Sequence, residues 1–328
     1  MIRIGHLTFP SYAALAPMAG ITDLPFRRLC QDMGAGLVVG EMIHSHPSLR
    51  TSRKTVLRST FDKKIHVRAI QIVGSDPTFL AEAARYNQQK GAELIDINMG
   101  CPAKKVLKKA AGSALLSNEK LVAEILCSVV SATSVPITLK FRTGPEPANR
   151  NGVRIARIAE DCGISALAVH GRTRKCGFKG QAEYQTIAEI VDAVKIPVFA
   201  NGDIDSPEKA KSIMSITGAC GVMLGRATHG RPWLCGQIDQ FLKTGKTPPD
   251  PSFETKIRII EKHIRRIHAF YGDYFGVKLA RKHVAWYFKD FSATKCHRKY
   301  FNTLNEASQQ LDALRHFAEI RANVGHAA

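Results

Sequence analysis

Short continuous runs of apolar residues recur along the first part of the chain. Between them lie stretches in which apolar residues return every three or four positions. Ala13–Met18, Leu37–Met42, Val67–Val73, Leu94–Asn98, Ile137–Phe141, Ala166–His170, Val198–Ala200 and Gly221–Leu224 are such runs, rich in Val, Ile, Leu and Ala. Continuous rather than alternating patterning predicts strands buried on both faces, hence a parallel sheet. The intervening stretches carry helix-start signals. Ser75-Asp76-Pro77 precedes Thr78–Lys90, which stops at Gly91; Ser117-Asn118-Glu119 opens Lys120–Ser131; Ser206-Pro207-Glu208 opens Lys209–Ile216, which stops at Gly218. Eight strands with intervening helices in roughly 240 residues is the arithmetic of a (β/α)8 TIM barrel. A doubly wound open sheet competes, because pattern alone does not show closure.

The texture changes after Gly245. Lys246-Thr247-Pro248-Pro249-Asp250-Pro251 reads as a linker. Beyond it no strand pattern recurs, and 253–271, 276–291 and 302–321 read as three amphipathic helices. The expected organisation is a barrel over 1–245 and a small all-helical domain over 251–328.

Charge sharpens this picture. The 328 residues hold 47 Lys plus Arg against 28 Asp plus Glu, a formal net charge of +19. Such an excess suits a polyanionic partner: nucleic acid, an anionic membrane or a phosphorylated substrate. Residues 251–328 carry 14 of the cations against 7 acidic residues. No stretch of about 18 apolar residues predicts a membrane span. The N-terminus has no charged-then-apolar leader, so a cytoplasmic location is expected. The eight cysteines, Cys30, Cys101, Cys127, Cys162, Cys176, Cys220, Cys235 and Cys296, form no C-x-x-C pair. Their spacing argues against a metal site and against a disulfide framework, and favours a reducing compartment.

In a TIM barrel the chemistry sits at the C-terminal ends of the strands. Those ends carry Pro17-Met18-Ala19, Gln71, Asp96 to Pro102, Lys140-Phe141-Arg142, His170 to Arg174, Asn201-Gly202-Asp203 and Gly225-Arg226. Glycine turns after the seventh and eighth strands are where such barrels hold a phosphate on backbone N–H groups, and Arg226 adds a cation. Cys101 lies in a Gly-Cys-Pro turn directly after a strand. A free thiol is mostly protonated at neutral pH, so a cysteine presented there can donate a proton as well as attack.

These motifs, in this order, resemble the tRNA-dihydrouridine synthase family, and within it the bacterial B-type branch. The resemblance spans nearly the whole chain, including Ala280-Arg281-Lys282-His283. One departure is Gly40 in Gly40-Glu41-Met42, where the family pattern has Ser or Thr. The resemblance implies FMN-dependent reduction of a D-loop uridine, at position 17 by the B-type likeness, to 5,6-dihydrouridine, with NADPH as electron source. By the same resemblance Pro17, Met18, Ala19, Gln71, Lys140, His170, Asn201, Gly202, Asp203, Gly225 and Arg226 would bind the flavin. Cys101 would be the general acid, and Asn98 and Arg172 would face the uracil. Lys104, Lys105, Arg281 and Lys282, with Lys108 and Lys109, would meet tRNA phosphates. A monomer is expected.

Two other readings remain at this point. A flavin barrel acting on a free pyrimidine has no use for the basic helical tail. A non-enzymatic RNA-binding barrel has no need of Cys101 or Lys140.

Overall fold

The computed structural model describes residues 1–291 and 294–325. Contacts divide the chain into two compact units, Met1–Ala227 with Trp233–Thr247, and Thr228–Pro232 with Pro248 onward.

The first unit opens with an antiparallel hairpin, β1 (Ile2–Ile4) and β2 (Leu7–Phe9), joined through Gly5 at φ +56°. Nine parallel strands follow: β3 (Ala13–Leu15), β4 (Leu37–Val38), β5 (Ile43–His44), β6 (Ala69–Val73), β7 (Leu94–Met99), β8 (Ile137–Arg142), β9 (Ala166–His170), β10 (Val198–Asn201) and β11 (Gly221–Leu224). Their order is β4-β3-β11-β10-β9-β8-β7-β6-β5. The expected second strand, the run Leu37–Met42, forms only at its start, as β4; the chain leaves the strand at Gly40-Glu41-Met42, and the other edge strand, β5, begins just beyond it at Ile43–His44. A bridge between Val39 and Ala69 joins that run to β6, so the sheet closes on itself as an eight-stranded TIM barrel. The open doubly wound alternative is thereby set aside.

Around the barrel run α1 (Leu24–Asp32), α2 (Arg53–Ser59), α3 (Pro77–Gln89), α4 (Lys104–Leu107), α5 (Glu119–Ser131), α6 (Gly152–Asp161), α7 (Gln185–Ala193), α8 (Pro207–Thr217) and α9 (Leu234–Thr244). The start signals work as side-chain caps. Asp76 accepts from the Phe79 N–H at 2.9 Å, Asn118 from Leu121 at 3.1 Å and Ser206 from Lys209 at 3.2 Å. Gly218 closes α8 in a left-handed conformation at φ +68°.

Strand alternation positions the site. On β8, Leu139 and Phe141 pack outward under the helices, while Thr138, Lys140 and Arg142 share the opposite, inward face. On β7, Ile95, Ile97 and Met99 face out, leaving Asp96 and Asn98 inward. The lower interior is apolar: Ile2, Ile4 and Phe9 of the hairpin pack with Ala14, Ala69, Leu94, Ala166, Ala168, Phe199 and Met223. The hairpin thus closes the N-terminal end of the barrel, and the inward polar side chains Asp96, Asn98, Lys140 and Arg142 lie toward its other end.

Cysteine spacing misleads at one place. Cys127 on α5 and Cys162, just after α6, form a disulfide with Cα atoms 4.8 Å apart. They lie 35 positions apart in sequence, but their helices are neighbours around the barrel. This corrects the expectation of unpaired thiols.

The second unit comprises α10 (Phe253–Tyr287), α11 (Lys295–Thr303) and α12 (Ala307–Gly325), with Thr228–Pro232. Gly272, at φ +75° and ψ +172°, breaks α10 into the two segments expected as separate helices. The expected third helix begins later than read, at Ala307, and Asn302 belongs instead to α11, a helix the pattern did not announce. No helix among the described residues is long and apolar enough to cross a membrane.

Candidate active site

Two polar networks line the C-terminal end of the barrel. On one side Asp96 accepts from Thr138 Oγ1 and from Gln71 Nε2, both at 2.7 Å. Gln71 in turn accepts from Asn98 Nδ2 at 2.8 Å. The Asn98 side-chain oxygen accepts from the backbone N–H groups of Gly100 and Cys101, at 3.2 and 3.0 Å. Asn98 therefore shapes the turn that presents Cys101. The Cys101 carbonyl is held by Ser113, whose N–H and hydroxyl donate at 3.1 and 2.9 Å. The thiol belongs to a half-buried residue that forms no disulfide.

On the other side Asn201 is the hub. Its amide nitrogen donates to the Met223 carbonyl at 2.7 Å, which fixes the orientation of the group. Its oxygen accepts from Lys140 Nζ and from His170 Nδ1, both at 2.9 Å. An amide oxygen only accepts, so the His170 proton sits on Nδ1 and Nε2 carries a lone pair. That Nε2 is buried and has no hydrogen-bond partner. Burial, reinforced by the Lys140 and Arg142 cations, lowers the His170 pKa to about 3, so the ring is neutral. Burial lowers the Lys140 pKa and raises that of Asp96, and each charge offsets part of that effect in the other.

Arg142, at the end of β8, ties the turn after β7 to the loop after β9. It donates to the carbonyls of Gly100 at 2.7 Å, Thr173 at 3.2 Å and Gly177 at 2.8 Å. Burial lowers its pKa to about 10, and it stays charged at neutral pH. The sequence placed it at a strand end without a role. Its signal was the i, i+2 spacing from Lys140, which puts both on the inward face. Phe178, 56 % exposed, lies under the guanidinium groups of Arg142 and Arg226, with carbon-to-ring distances of 5.3 and 5.0 Å. It too escaped the sequence reading.

Arg172 is 4 % exposed and is held by protein partners. It grips Asp203 with two parallel bonds of 2.9 and 2.5 Å and donates to the carbonyls of Lys179 and Gly180. Asp203 also accepts from Arg226 at 3.2 Å and from the Ala182 N–H at 2.9 Å. Burial acts to raise the Asp203 pKa, but Arg172, the Ala182 N–H and Arg226 outweigh it and hold the carboxyl below its ordinary value. Asp203 sits at φ +49°, a conformation rare for a side-chain-bearing residue. The pair thus fastens the loop after β9 to the turn after β10.

At the junction of β3 and β11, Met18 and Gly225 face each other. A Cβ built on Gly225 would meet Met18 Sδ at 3.7 Å, an ordinary van der Waals contact. The Met18 N–H donates to Thr22 Oγ1 at 2.8 Å. The loop through Gly20 is held from below by the buried Glu41 carboxylate, which accepts from the Gly20 N–H and from Arg58. Pro17 and Ala19 belong to the same half-exposed loop.

Lys104 and Lys105 on α4, with Lys108 and Lys109 just beyond it, are exposed and form no ion pair among the described residues. In the helical unit Arg281 is half-buried and donates to the Leu304 carbonyl and Asn305 Oδ1, at 3.0 and 3.1 Å. Lys282 is also half-buried, close enough to His263 and His283 to depress their protonation.

The family model described as Dihydrouridine synthase (Dus) matches residues 14–323. The tRNA-dihydrouridine synthase B of Pseudomonas aeruginosa is 52 % identical over 325 residues, covering 99 % of this chain and 98 % of that protein. The tRNA-dihydrouridine synthase B of Salmonella typhimurium is 50 % identical over 319 residues, covering 97 % of this chain and 99 % of that protein. Among solved structures, histamine dehydrogenase from Rhizobium superposes with a TM-score of 0.54 at 14 % identity, over 81 % of this chain and 50 % of that one. A 2-naphthoyl-CoA reductase gives 0.55 at 12 % identity, over 75 % of this chain and 52 % of that one. These two likenesses concern the fold.

Proposed function

The chain belongs to the dihydrouridine synthase family, and from that premise we propose that it reduces a uridine in the D-loop of tRNA to 5,6-dihydrouridine, using FMN and NADPH. The observation that carries the reading is the convergence of Cys101, Lys140 and His170 on one barrel rim, fixed by Asn98 and Asn201.

The rim suits a flavin mononucleotide. The unpartnered His170 Nε2 needs a donor, and the ring N–H and ribityl hydroxyls of FMN are donors. Lys140 offers an ammonium to an anionic reduced ring. Gln71 would bond the same ring, and Pro17, Met18 and Ala19 would line it. Asn201, Gly202, Asp203, Gly225 and Arg226 would hold the ribityl chain and the phosphate, Arg226 through its charge. Bound there, FMN would supply the hydride for uracil C6.

The remaining work falls to this chain. The Cys101 thiol donates the proton that C5 needs. Asn98 keeps the thiol aimed by holding the Gly100 and Cys101 N–H groups, and its second amide proton would meet the base. Arg172, already gripping Asp203, acts as a positioning residue that shapes the wall of the base pocket. The uracil must leave its stack to reach this rim, so the tRNA has to be held firmly elsewhere. Lys104, Lys105, Lys108 and Lys109 would bind phosphates beside the catalytic turn, with Arg281 and Lys282 adding to the field of the helical unit. A cytoplasmic enzyme acting as a monomer on position 17 completes the proposal.

Substrate choice tests this against a free-pyrimidine enzyme. After anaerobic reduction by NADPH, unmodified tRNA should reoxidise the protein, while uracil, uridine and orotate should not. Reoxidation by a free pyrimidine alone would displace the tRNA reading.

A further inference from the structure

Helix α11 reads Lys295-Cys296-His297-Arg298-Lys299-Tyr300-Phe301-Asn302-Thr303 and contains no acidic residue. It is pinned at both ends. At its start Thr294 Oγ1 donates to the Phe288 carbonyl at 2.9 Å, and after its end Arg281 holds the Leu304 carbonyl and Asn305. Phe301 is 1 % exposed, whereas its neighbour Tyr300 is 58 % exposed. His297 packs edge-on against Phe317, 4.9 Å between ring centres. The helix therefore has one anchored face and one rigidly presented face.

That presented face carries Lys295, Arg298, Lys299 and Tyr300, all exposed. Three cations elsewhere in the unit are paired with carboxylates: Arg265 and Arg315 both lie on Glu261, at 2.7 and 3.1 Å, and Lys256 lies 3.3 Å from Asp250. Lys295, Arg298 and Lys299 have no ion pair among the described residues. Unneutralised cations around an exposed aromatic ring match the needs of a nucleic acid, whose phosphates take the charge and whose unpaired bases stack on the ring. An anionic membrane fits less well, because the apolar residue of the helix, Phe301, is turned into the unit.

We propose that α11 is an RNA-docking element, with Lys295, Arg298 and Lys299 on phosphates and Tyr300 stacked on an unpaired base of the tRNA. This rests on the tRNA reading above and names the part of the helical unit that holds the substrate.

The test is filter binding of an unmodified tRNA transcript to the full-length protein at several salt concentrations. The double change Arg298→Ala with Lys299→Ala should flatten the log–log salt slope by up to about two units, since each phosphate contact contributes a little under one. Tyr300→Ala should leave the slope unchanged and weaken binding roughly 5- to 100-fold, the usual worth of one stacked base. Tyr300→Trp should restore affinity. All these side chains are exposed, and unchanged thermal unfolding will verify intact folds. Wild-type affinity and slope in both variants overturn the proposal, as does a loss confined to the charge variant. Loss of binding to phosphatidylglycerol vesicles with tRNA binding intact assigns the face to membranes instead. Dihydrouridine formation by the wild-type protein separately decides the tRNA reading, so the two failures are distinguishable.

Discussion

Lys140 Nζ lies 2.9 Å from the side-chain oxygen of Asn201, an atom it shares with His170. One neutral acceptor thus fixes a buried cation and a neutral imidazole beside the same space. Replacing Lys140 with Met should leave the barrel folded but slow flavin reduction by NADPH about 100- to 1,000-fold, the usual effect of losing one preorganised electrostatic group. Asn201→Ala should act earlier, lowering bound flavin per protein, because it frees both partners at once. Flavin absorbance and stopped-flow reduction on the two variants check this order.

Cys101→Ala should separate the two half-reactions. Flavin reduction by NADPH should proceed at the wild-type rate, while tRNA-dependent reoxidation should fall about 10²- to 10⁴-fold, the usual worth of a general acid. Equal losses in both halves would make Cys101 a structural residue. Asn98→Ala should resemble Cys101→Ala, because Asn98 holds the turn through the Gly100 and Cys101 N–H groups.

Arg172→Lys should be nearly as damaging as Arg172→Ala. A lysine cannot reproduce the two parallel bonds to Asp203 or those to Lys179 and Gly180. Breaking a buried pair of this kind typically costs about 3–5 kcal/mol, and the partial exposure of Asp203 places this one near the lower figure. Thermal unfolding should fall by several degrees, and limited proteolysis should cleave between 173 and 181 before any other site in the barrel. Wild-type proteolysis in Arg172→Ala would show that the loop is held by other contacts.

Acid should loosen the helical unit. His263 is fully buried, bonded to the Tyr287 hydroxyl at 3.0 Å, and burial, with Arg266 and Lys282 nearby, lowers its pKa to about 3. Burial also depresses His283, with His263, Lys282 and His229 adding to the effect, and depresses His268. An unfolded histidine titrates near 6.5. Between about 6.5 and 3 the unfolded chain therefore holds more protons than the folded one, and stability falls as the pH drops. Each such proton contributes up to about 1.4 kcal/mol per pH unit. Thermal unfolding from pH 7.5 to 5.5 should show the loss before carboxylates titrate, and His263→Gln should reduce the slope. A flat profile would contradict the buried, neutral imidazoles.

The barrel was legible because its strands are continuous apolar runs and some of its helices start with working caps, as at Asp76, Asn118 and Ser206. The N-terminal hairpin was not, since three-residue strands are too short for periodicity to register. The break at Gly40-Glu41-Met42 was equally hidden: the expected strand over 37–42 keeps only Leu37–Val38, and β5 lies beyond it at Ile43–His44. Motif order brought Cys101, Lys140, His170 and Asn201 to one rim. It was silent on which groups hold one another, because hydrogen bonds such as Arg172 to Asp203 join residues from different strand ends. Helix α11 escaped for a similar reason. Its one buried large side chain, Phe301, gives no apolar stripe, and its stability comes from tertiary packing.

The most direct measurement incubates the purified full-length protein with NADPH and an unmodified tRNA transcript, digests the RNA and reads each uridine by mass. Reduction of the 5,6 double bond adds two hydrogens, so one D-loop uridine, at position 17, should gain about 2 Da. The Cys101→Ala protein should leave that fragment unchanged over the same time. A wild-type protein that is reduced by NADPH yet leaves every uridine of the tRNA at its original mass would contradict the account.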